Sequence, residues 1–397
     1  MLGKRIRHIH RYQEIVNAFI RNGFAFLVME LGLTEMFSIK KKWASEQKLA
    51  QKRSLGEKVR SFLEELGPSF VKLGQIASTR PDLIPQEIVK ELEKLQDHVQ
   101  PISFIEVKEI IEAELGNKLE QLFLEFNEEP LASASIGQVH DAVLPSNKRV
   151  AVKVQRPNLK TIVETDLEII GDLARMAENR FAWAANYHLT EIVEEFSNAL
   201  HQELDYDNEA RNAERISRYC EEEPYLVIPK IHWEYSTKKV LTSDYIDGIK
   251  ISQNKTLDQL GYNRKIIAER FTNIMLKQML VDGYFHGDPH PGNIVILPND
   301  TIGMLDFGMV GRLNAEIKYH FASLVIAMRH QSTDGILKAI TSMGLIEPDT
   351  KINELRMDIE DLQEKYYQEA LSQIHFGEVI NELFSIAFKH IYNFQRT

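Results

Sequence analysis

The sequence holds one cysteine, Cys220, in 397 residues. No internal disulfide can staple the chain, and a reducing compartment is implied. A lone cysteine is most often a small buried apolar residue, and no reactive role is assigned to it. Nor is there a run of about 18 apolar residues, the minimum for a membrane-spanning helix. The nearest stretch, Ile15 to Leu33, is interrupted by Arg21, Asn22 and Glu30. It has no small-residue cleavage site after its apolar part, which argues against a secretory signal peptide. Internal repeats and low-complexity segments are also absent.

What is present is the composition of an ordinary globular protein, long enough for two or three domains. Basic residues are in the minority, 47 against 58 acidic, for a net charge of −11. The deficit is uneven: residues 1–60 carry +8 and the remainder −19. An acidic body excludes nucleic acid as a partner held by general electrostatics. The head reads as an amphipathic helix, with Ile15, Phe19 and Ile20 at helical spacing after Lys4, Arg5, Arg7 and Arg11. Two readings fit it: a helix lying on an anionic membrane surface, or one docked on the body with a solvated basic face.

The first 125 residues pattern as helices. A charged stretch over 40–66 ends at Gly67-Pro68, a helix starts at Ser69, and others run from Gln86 to about Gln96 and over 103–125. Two strands follow, Ser135 to Leu144 and Arg149 to Gln155, joined as a hairpin at Pro145-Ser146-Asn147. A helical region over 159–221 breaks near Asn186-Tyr187. Strand-like runs cover Leu226–Trp233 and Lys239–Tyr245, and Thr256 to Asp282 is helical. A Gly/Pro-rich knot, His286 to Asn293, then precedes short strands Ile294–Leu297 and Ile302–Leu305. The rest, 315–397, is helical. The expected domains are a helical extension (1–125), a strand-containing unit with inserted helices (126–245) and a helical unit (246–397).

Four elements, in order, carry chemistry. In Val150-Ala151-Val152-Lys153-Val154 the valines share one face and leave Lys153 beside Ala151 on the other. A lysine there is either an exposed strand lysine or one with an anionic partner. An acidic run, Glu203-Leu204-Asp205-Tyr206-Asp207-Asn208-Glu209, is read as lying on one helix. Glu203 and Glu209 then point in different directions, and each reaches a different cation unless the run is simply a solvated face. In the third element, Asp288 followed five residues later by Asn293 in a turn-rich loop suits phosphoryl transfer. The aspartate orients a nucleophile, and the asparagine oxygen binds a metal. His286, Asp288 and His290 also have the character of a hydrolytic metal site. The fourth element, Leu305-Asp306-Phe307-Gly308, argues against that, because a carboxylate there suits Mg²⁺ bridging nucleotide phosphates. Lysine strand, helix glutamate, D-x₄-N and DFG together form the protein-kinase-like order of ATP-binding parts.

Where a Gly-rich loop would precede the lysine strand, this chain has Ala132-Ser133-Ala134-Ser135-Ile136-Gly137-Gln138-Val139. Upstream stands Lys72-Leu73-Gly74-Gln75. With GPSFVKLGQIASTRPDLIP (67–85), PLASASIGQVHDAVL (130–144), VAVKVQRP (150–157) and ELDYDNEARNA (203–213), the sequence resembles the UbiB/ADCK/AarF family of atypical kinase-like proteins over roughly 1–340. The resemblance implies an α+β, bilobal protein-kinase-like fold with its helical extension packed over the active site. It implies that Lys153 holds the nucleotide phosphates and pairs with Glu209, that Asn293 and Asp306 bind Mg²⁺, and that Asp288 sits in the catalytic loop. It also implies that Glu203 and Asp205 meet the K-x-G-Q helix through Lys72 and Gln75. The loop from Ala132 through Ser133, Ala134, Ser135, Ile136 and Gly137 to Val139 would follow the phosphates. Asp244 and Tyr245 would form the adenine hinge, where Ser243 and Asp244 replace the family's frequent Met-Glu.

The implied cofactors are ATP or ADP and Mg²⁺. The implied activity is that of an ATP-dependent kinase or ATPase supporting ubiquinone-type isoprenoid-quinone or other prenyl-lipid metabolism. Expected partners are a nucleotide, an anionic membrane surface with a prenyl-quinone or related lipid, and a second copy of the chain as a homodimer. The expected location is cytoplasmic and peripheral to the membrane. Family members often continue into apolar membrane-anchoring segments where this sequence stops at Thr397, so the basic head becomes the expected point of attachment. Two other classes remain in view: a small-molecule kinase of the aminoglycoside or choline type, and a nucleotide-binding pseudokinase scaffold.

Overall fold

A computed structural model describes residues 2–33, 53–78, 84–95, 100–346 and 350–367, with isolated positions at 379, 382–383 and 386–387. The helical patterns expected over 40–52 and across most of 368–397 lie outside these residues.

Helix α1 (Leu2–Arg21) turns at Gly23 (φ 91°) into the short α2 (Ala25–Glu30). Helix α3 (Leu55–Leu66) opens with a capping box in which Ser54 and Glu57 satisfy each other's backbone N–H groups. It ends at Gly67 (φ 92°), after which α4 (Pro68–Ser78) begins with the proline that a first helical turn tolerates. Helices α5 (Gln86–Leu92), α6 (Phe104–Leu115) and α7 (Leu119–Leu122) complete the N-terminal part.

The apolar face of α1 is occupied. Ile15, Val16 and Ala18 are fully buried and Ile20 nearly so, against Phe62, Phe70 and residues of the later helix α8 (Leu159–Arg180). Of the two readings of this helix, the docked one describes these side chains. Among the described side chains, Ile9, Phe26 and Met29 are apolar and left exposed on α1 and α2.

The first sheet is antiparallel: β1 (Glu125–Phe126) and β2 (Ala132–Ser133) flank β3 (Gly137–Val143), followed by β4 (Arg149–Gln155) and β6 (Val240–Asp244). Val150, Val152 and Val154 face a core built with Val107, Ile111, Leu119 and Leu122 of α6 and α7. The opposite face carries two cross-strand rows, Val139–Lys153–Leu241 and Asp141–Ala151–Ser243.

Between β4 and β6 lie α8, α9 (Ala182–Asn186), α10 (Leu189–Glu203), α11 (Tyr206–Tyr219) and the two-residue strand β5 (Leu226–Val227). The helical run expected over 159–221 thus has a break that the sequence reading placed inside a helix. It falls at Leu204-Asp205, so the acidic run is split between two helices.

A second sheet, ordered β5–β10–β9–β7, uses β7 (Ile249–Lys250), β9 (Ile294–Leu297) and β10 (Thr301–Met304). A ribbon of β8 (Tyr284–His286) and β11 (Val310–Arg312) lies beside the D-x₄-N loop and the DFG turn. The strand-like run expected over 226–233 is ordered as β5 plus a single bridge, Ile231 to Ser243. Helices α12 (Asn254–Gln259), α13 (Arg264–Leu276, continued by a π-turn to Asp282), α14 (Ala315–Arg329), α15 (Thr333–Ser342) and α16 (Ile352–Tyr367) follow. The largest core joins all parts: Leu73 and Ile76 of α4 pack with Ile136, Tyr206, Leu241, Met304 and Phe307. The K-x-G-Q helix is therefore built into the molecule's main core.

Candidate active site

Lys153 has anionic partners. Its ammonium lies 2.8 Å from Glu209 Oε2 and 3.2 Å from Asp306 Oδ2, and it faces the Tyr206 ring at 5.2 Å. Burial alone would lower the lysine pKa; the carboxylates of Asp306 and Glu209 reverse this and hold it well above its usual value. Burial pushes Glu209 up to about 7 against the pull of Lys153. For Asp306 burial acts upward too, but Lys153 and then Lys72 hold its carboxyl well below the usual range.

Lys72 reaches this group from α4. Its Nζ is 2.9 Å from Glu203 Oε1, and Glu203 sits against Gly308, where an added Cβ would lie 3.3 Å from its Oε2 and 3.2 Å from Asp306 Oδ1. Two lysines from distant segments thus converge on Glu209, Asp306 and Glu203. Gln75 is turned elsewhere and donates to the Leu95 carbonyl at 3.4 Å. Asp205 is a correction. The expectation paired it with the K-x-G-Q helix, but its carboxylate caps α11 by accepting from Asp207 N and pairs with Lys238 at 3.1 Å. The helix break at Leu204 turns it away from Glu203's surroundings.

The D-x₄-N loop is held by His286. Its Nδ1 accepts from Asp288 N and its Nε2 donates to the Leu305 carbonyl, both at 3.1 Å, which fixes the proton on Nε2. Both ring nitrogens are thus used by backbone, and the His-x-Asp-x-His metal alternative loses its first ligand. Asn293 donates through Nδ2 to the Asp288 carbonyl at 3.1 Å, while its own carbonyl accepts from Leu305 N at 2.8 Å. The loop and the DFG turn are therefore neighbours. Asp306 adopts a left-handed backbone (φ 54°) and accepts from Gly308 N at 3.2 Å. Its side chain is 44% exposed and shares the Lys153 ammonium with Glu209, which leaves it accessible to a further cation. Among the described residues no group of three His, Cys, Asp or Glu forms a metal cage. A hard ion that keeps water and phosphate ligands would fit what is present, with the Asn293 and Asp306 side-chain oxygens available to hold it.

The Ala-rich loop folds as a turn in which Ala134 N donates to Gly137 O at 2.8 Å. Ala132 and Ser133 form β2, Val139 lies opposite Lys153, and Ser135 and Ile136 are buried. Arg156, which the sequence reading passed over inside VQRP, clamps this turn. Its guanidinium donates to Ala134 O (2.9 Å), Ser133 Oγ (3.0 Å) and Gln100 O (2.9 Å), and its N–H to Ile136 O (2.9 Å). Two further residues were missed. Asn212 donates to the Phe307 carbonyl at 3.0 Å, and Tyr284 Oη donates to Asn212 Oδ1 at 2.6 Å. The position of Arg156 three residues after the strand lysine was the only available signal; nothing local marked the other two. At the hinge the Asp244 carboxylate accepts from His232 (2.7 Å) and pairs with Lys148, and Arg149 stacks on Tyr245 at 3.8 Å. A ligand there would meet backbone rather than the Asp244 carboxylate.

The ABC1 atypical kinase-like domain matches residues 94–340. The chain belongs to that family. ABC1 relatives include the "Probable protein kinase UbiB" of Marinobacter nauticus, 36% identical over 340 residues, which are 85% of this chain and 62% of that protein. "Protein ACTIVITY OF BC1 COMPLEX KINASE 7, chloroplastic" of Arabidopsis thaliana is 35% identical over 363 residues, 90% of this chain and 52% of that one. The chain thus spans less than two thirds of the length of these two ABC1 proteins. Against the UbiB protein of Pseudomonas aeruginosa PAO1 it is 35% identical over 392 residues, 96% of this chain and 73% of that one. A solved structure of Rv3197 with erythromycin, from Mycobacterium tuberculosis, superposes with a TM-score of 0.54 at 25% identity, covering 82% of this chain and 90% of that one. The fold is α+β and kinase-like, as expected for an ABC1 domain.

Proposed function

We propose that this ABC1 chain binds a Mg²⁺–nucleotide and acts as an atypical ATP-dependent phosphotransferase or ATPase. The observation that carries the reading is Lys153 bridging Glu209 and Asp306 beside the Asp288–Asn293 loop. In this reading Lys153 holds the α/β-phosphates, and Asn293 and Asp306 hold Mg²⁺, which neutralises phosphate charge when bound. Asp288 accepts or orients the proton of the attacking hydroxyl or water. The Ala-rich loop, held shut by Arg156, lies along the phosphates. Lys72 and Glu203, paired at 2.9 Å beside Gly308 and Asp306, favour a restricted site over the open acceptor pocket of a small-molecule kinase. The domain division at 125 and 245 belongs to the same reading.

The link to prenyl-lipid metabolism rests on the relatives named UbiB. The basic head, with Ile9, Phe26 and Met29 exposed, supports attachment to an anionic surface.

Thermal shift with Mg²⁺ and ADP or ATP tests the first half, with Asp306→Asn as control. Stabilisation of the wild type alone is expected; equal stabilisation of both removes Asp306 as metal ligand. Nucleotide hydrolysis with anionic vesicles and a prenyl-phenol analogue tests the second half. Turnover stimulated by lipid and lost in Lys153→Ala is expected, and indifference to lipid would leave only the nucleotide site.

A further inference from the structure

Asp166 in α8 is fully buried and outside every motif of the site. It holds three elements at once. Arg11 of α1 donates to both its oxygens, at 2.6 Å from Nε and 3.0 Å from Nη2. Ser69, itself 1% exposed and in the first turn of α4, donates to the same carboxylate. The Arg11 Nη2 also donates to the carbonyl of Leu66, the last residue of α3, at 2.8 Å, and the guanidinium faces the Phe70 ring at 5.6 Å. One ion pair, buried at its carboxylate, thus fixes both sides of the α3–α4 junction. Ser69 and Lys72 are three apart, so they lie on one face of α4, one turn from each other. Anchoring the first therefore sets where the second emerges.

We propose that Asp166, through Ser69 and Arg11, is a positioning residue that presents Lys72 to Glu203, so that the candidate site extends to α1 and α8. A buried carboxylate stripped of its guanidinium must find another cation or hydration. Either response releases the first turn of α4 and lets Lys72 withdraw from Glu203. The proposal concerns where Lys72 sits and stands whether or not a nucleotide binds.

Lysine labelling by reductive methylation, read residue by residue by mass spectrometry, tests it. Lys72 and Lys153 have side chains equally exposed, 15% each, and both are paired to carboxylates, so Lys153 serves as the internal control. In Arg11→Ala and Ser69→Ala, Lys72 labelling is expected to rise several-fold, toward the rate in Glu203→Gln, with Lys153 unchanged. Arg11→Lys, which returns a cation to Asp166, is expected to restore part of the protection. A lowered melting temperature with Lys72 labelling unchanged would overturn the proposal, and so would equal rises at both lysines. If Arg11→Ala does not fold, Ser69→Ala decides alone, since it removes one hydroxyl and leaves the ion pair.

Discussion

Gly137 is the single glycine of the Ala-rich loop, and what it supplies is missing volume. A Cβ there would stand 2.4 Å from Tyr206 Oη and 2.6 Å from the Val154 carbonyl. Gly137→Ala is expected to destabilise by about 1–3 kcal/mol, the usual range for overpacking, measured by urea unfolding. The Tyr206 hydroxyl is buried with no hydrogen-bond partner among the described residues. Tyr206→Phe is therefore expected to be neutral or stabilising by about 1 kcal/mol, and to recover part of the Gly137→Ala loss. The chemistry of Lys153 makes a second test at this scale. Glu209, held near 7, keeps its proton in the folded state at pH values where the unfolded chain has released it. Its contribution to stability is thus full below about 4.5 and is lost as pH rises through about 7. Lys153→Met removes the charge that pulls this pKa down, and Asp306→Asn removes one that pushes it up. Carbon NMR of labelled glutamate should show the Glu209 midpoint moving up in the first variant and down in the second. A shift in the same direction in both would refute the coupling.

At the scale of elements, the hairpin β3–β4 and the β9–β10 pair were legible because alternation and turn residues are local. The face of β4 that carries Lys153 follows from the period of two. The helix break at Leu204 was not legible. Glu203 to Glu209 has no glycine or proline, and what stops α10 is the tertiary requirement that Tyr206 be fully buried beside Gly137. Both carboxylates were paired with the K-x-G-Q helix by family resemblance rather than by spacing, and the break separates them: Glu203 meets Lys72, whereas Asp205 caps α11 and meets Lys238. Arg156 shows a different gap: its acceptors are backbone carbonyls, which no sequence pattern displays. Arg156→Ala removes three side-chain hydrogen bonds from the loop and its approach. At about 1 kcal/mol each, affinity for Mg²⁺–ADP should fall at least tenfold by calorimetry. Exchange of the Ala134 amide, which closes the turn, should accelerate in the same variant. Unchanged affinity with faster exchange would mean that the turn does not touch the nucleotide.

At the scale of the whole molecule the charge division becomes a prediction about salt. The proposed attachment of the basic head to anionic vesicles would be Coulombic, with a screening length of about 8 Å at physiological ionic strength. Co-sedimentation should therefore fall several-fold between about 0.05 and about 0.5 M salt, and again on exchanging Lys4, Arg5 and Arg7 for glutamate. Binding insensitive to both would leave Phe26 and Met29 as the contact. The Arg11–Asp166 pair has a consequence in time as well as in space. Its partners are 155 positions apart, and chains are made from the N-terminus at about 5–20 residues per second. On that clock α1 waits on the order of ten seconds before its acceptor has even been synthesised, with Ile15, Val16 and Ile20 uncovered. Contacts of such separation form late and slowly. A helix made this far ahead of its seat is a natural client for whatever shields apolar surface during synthesis.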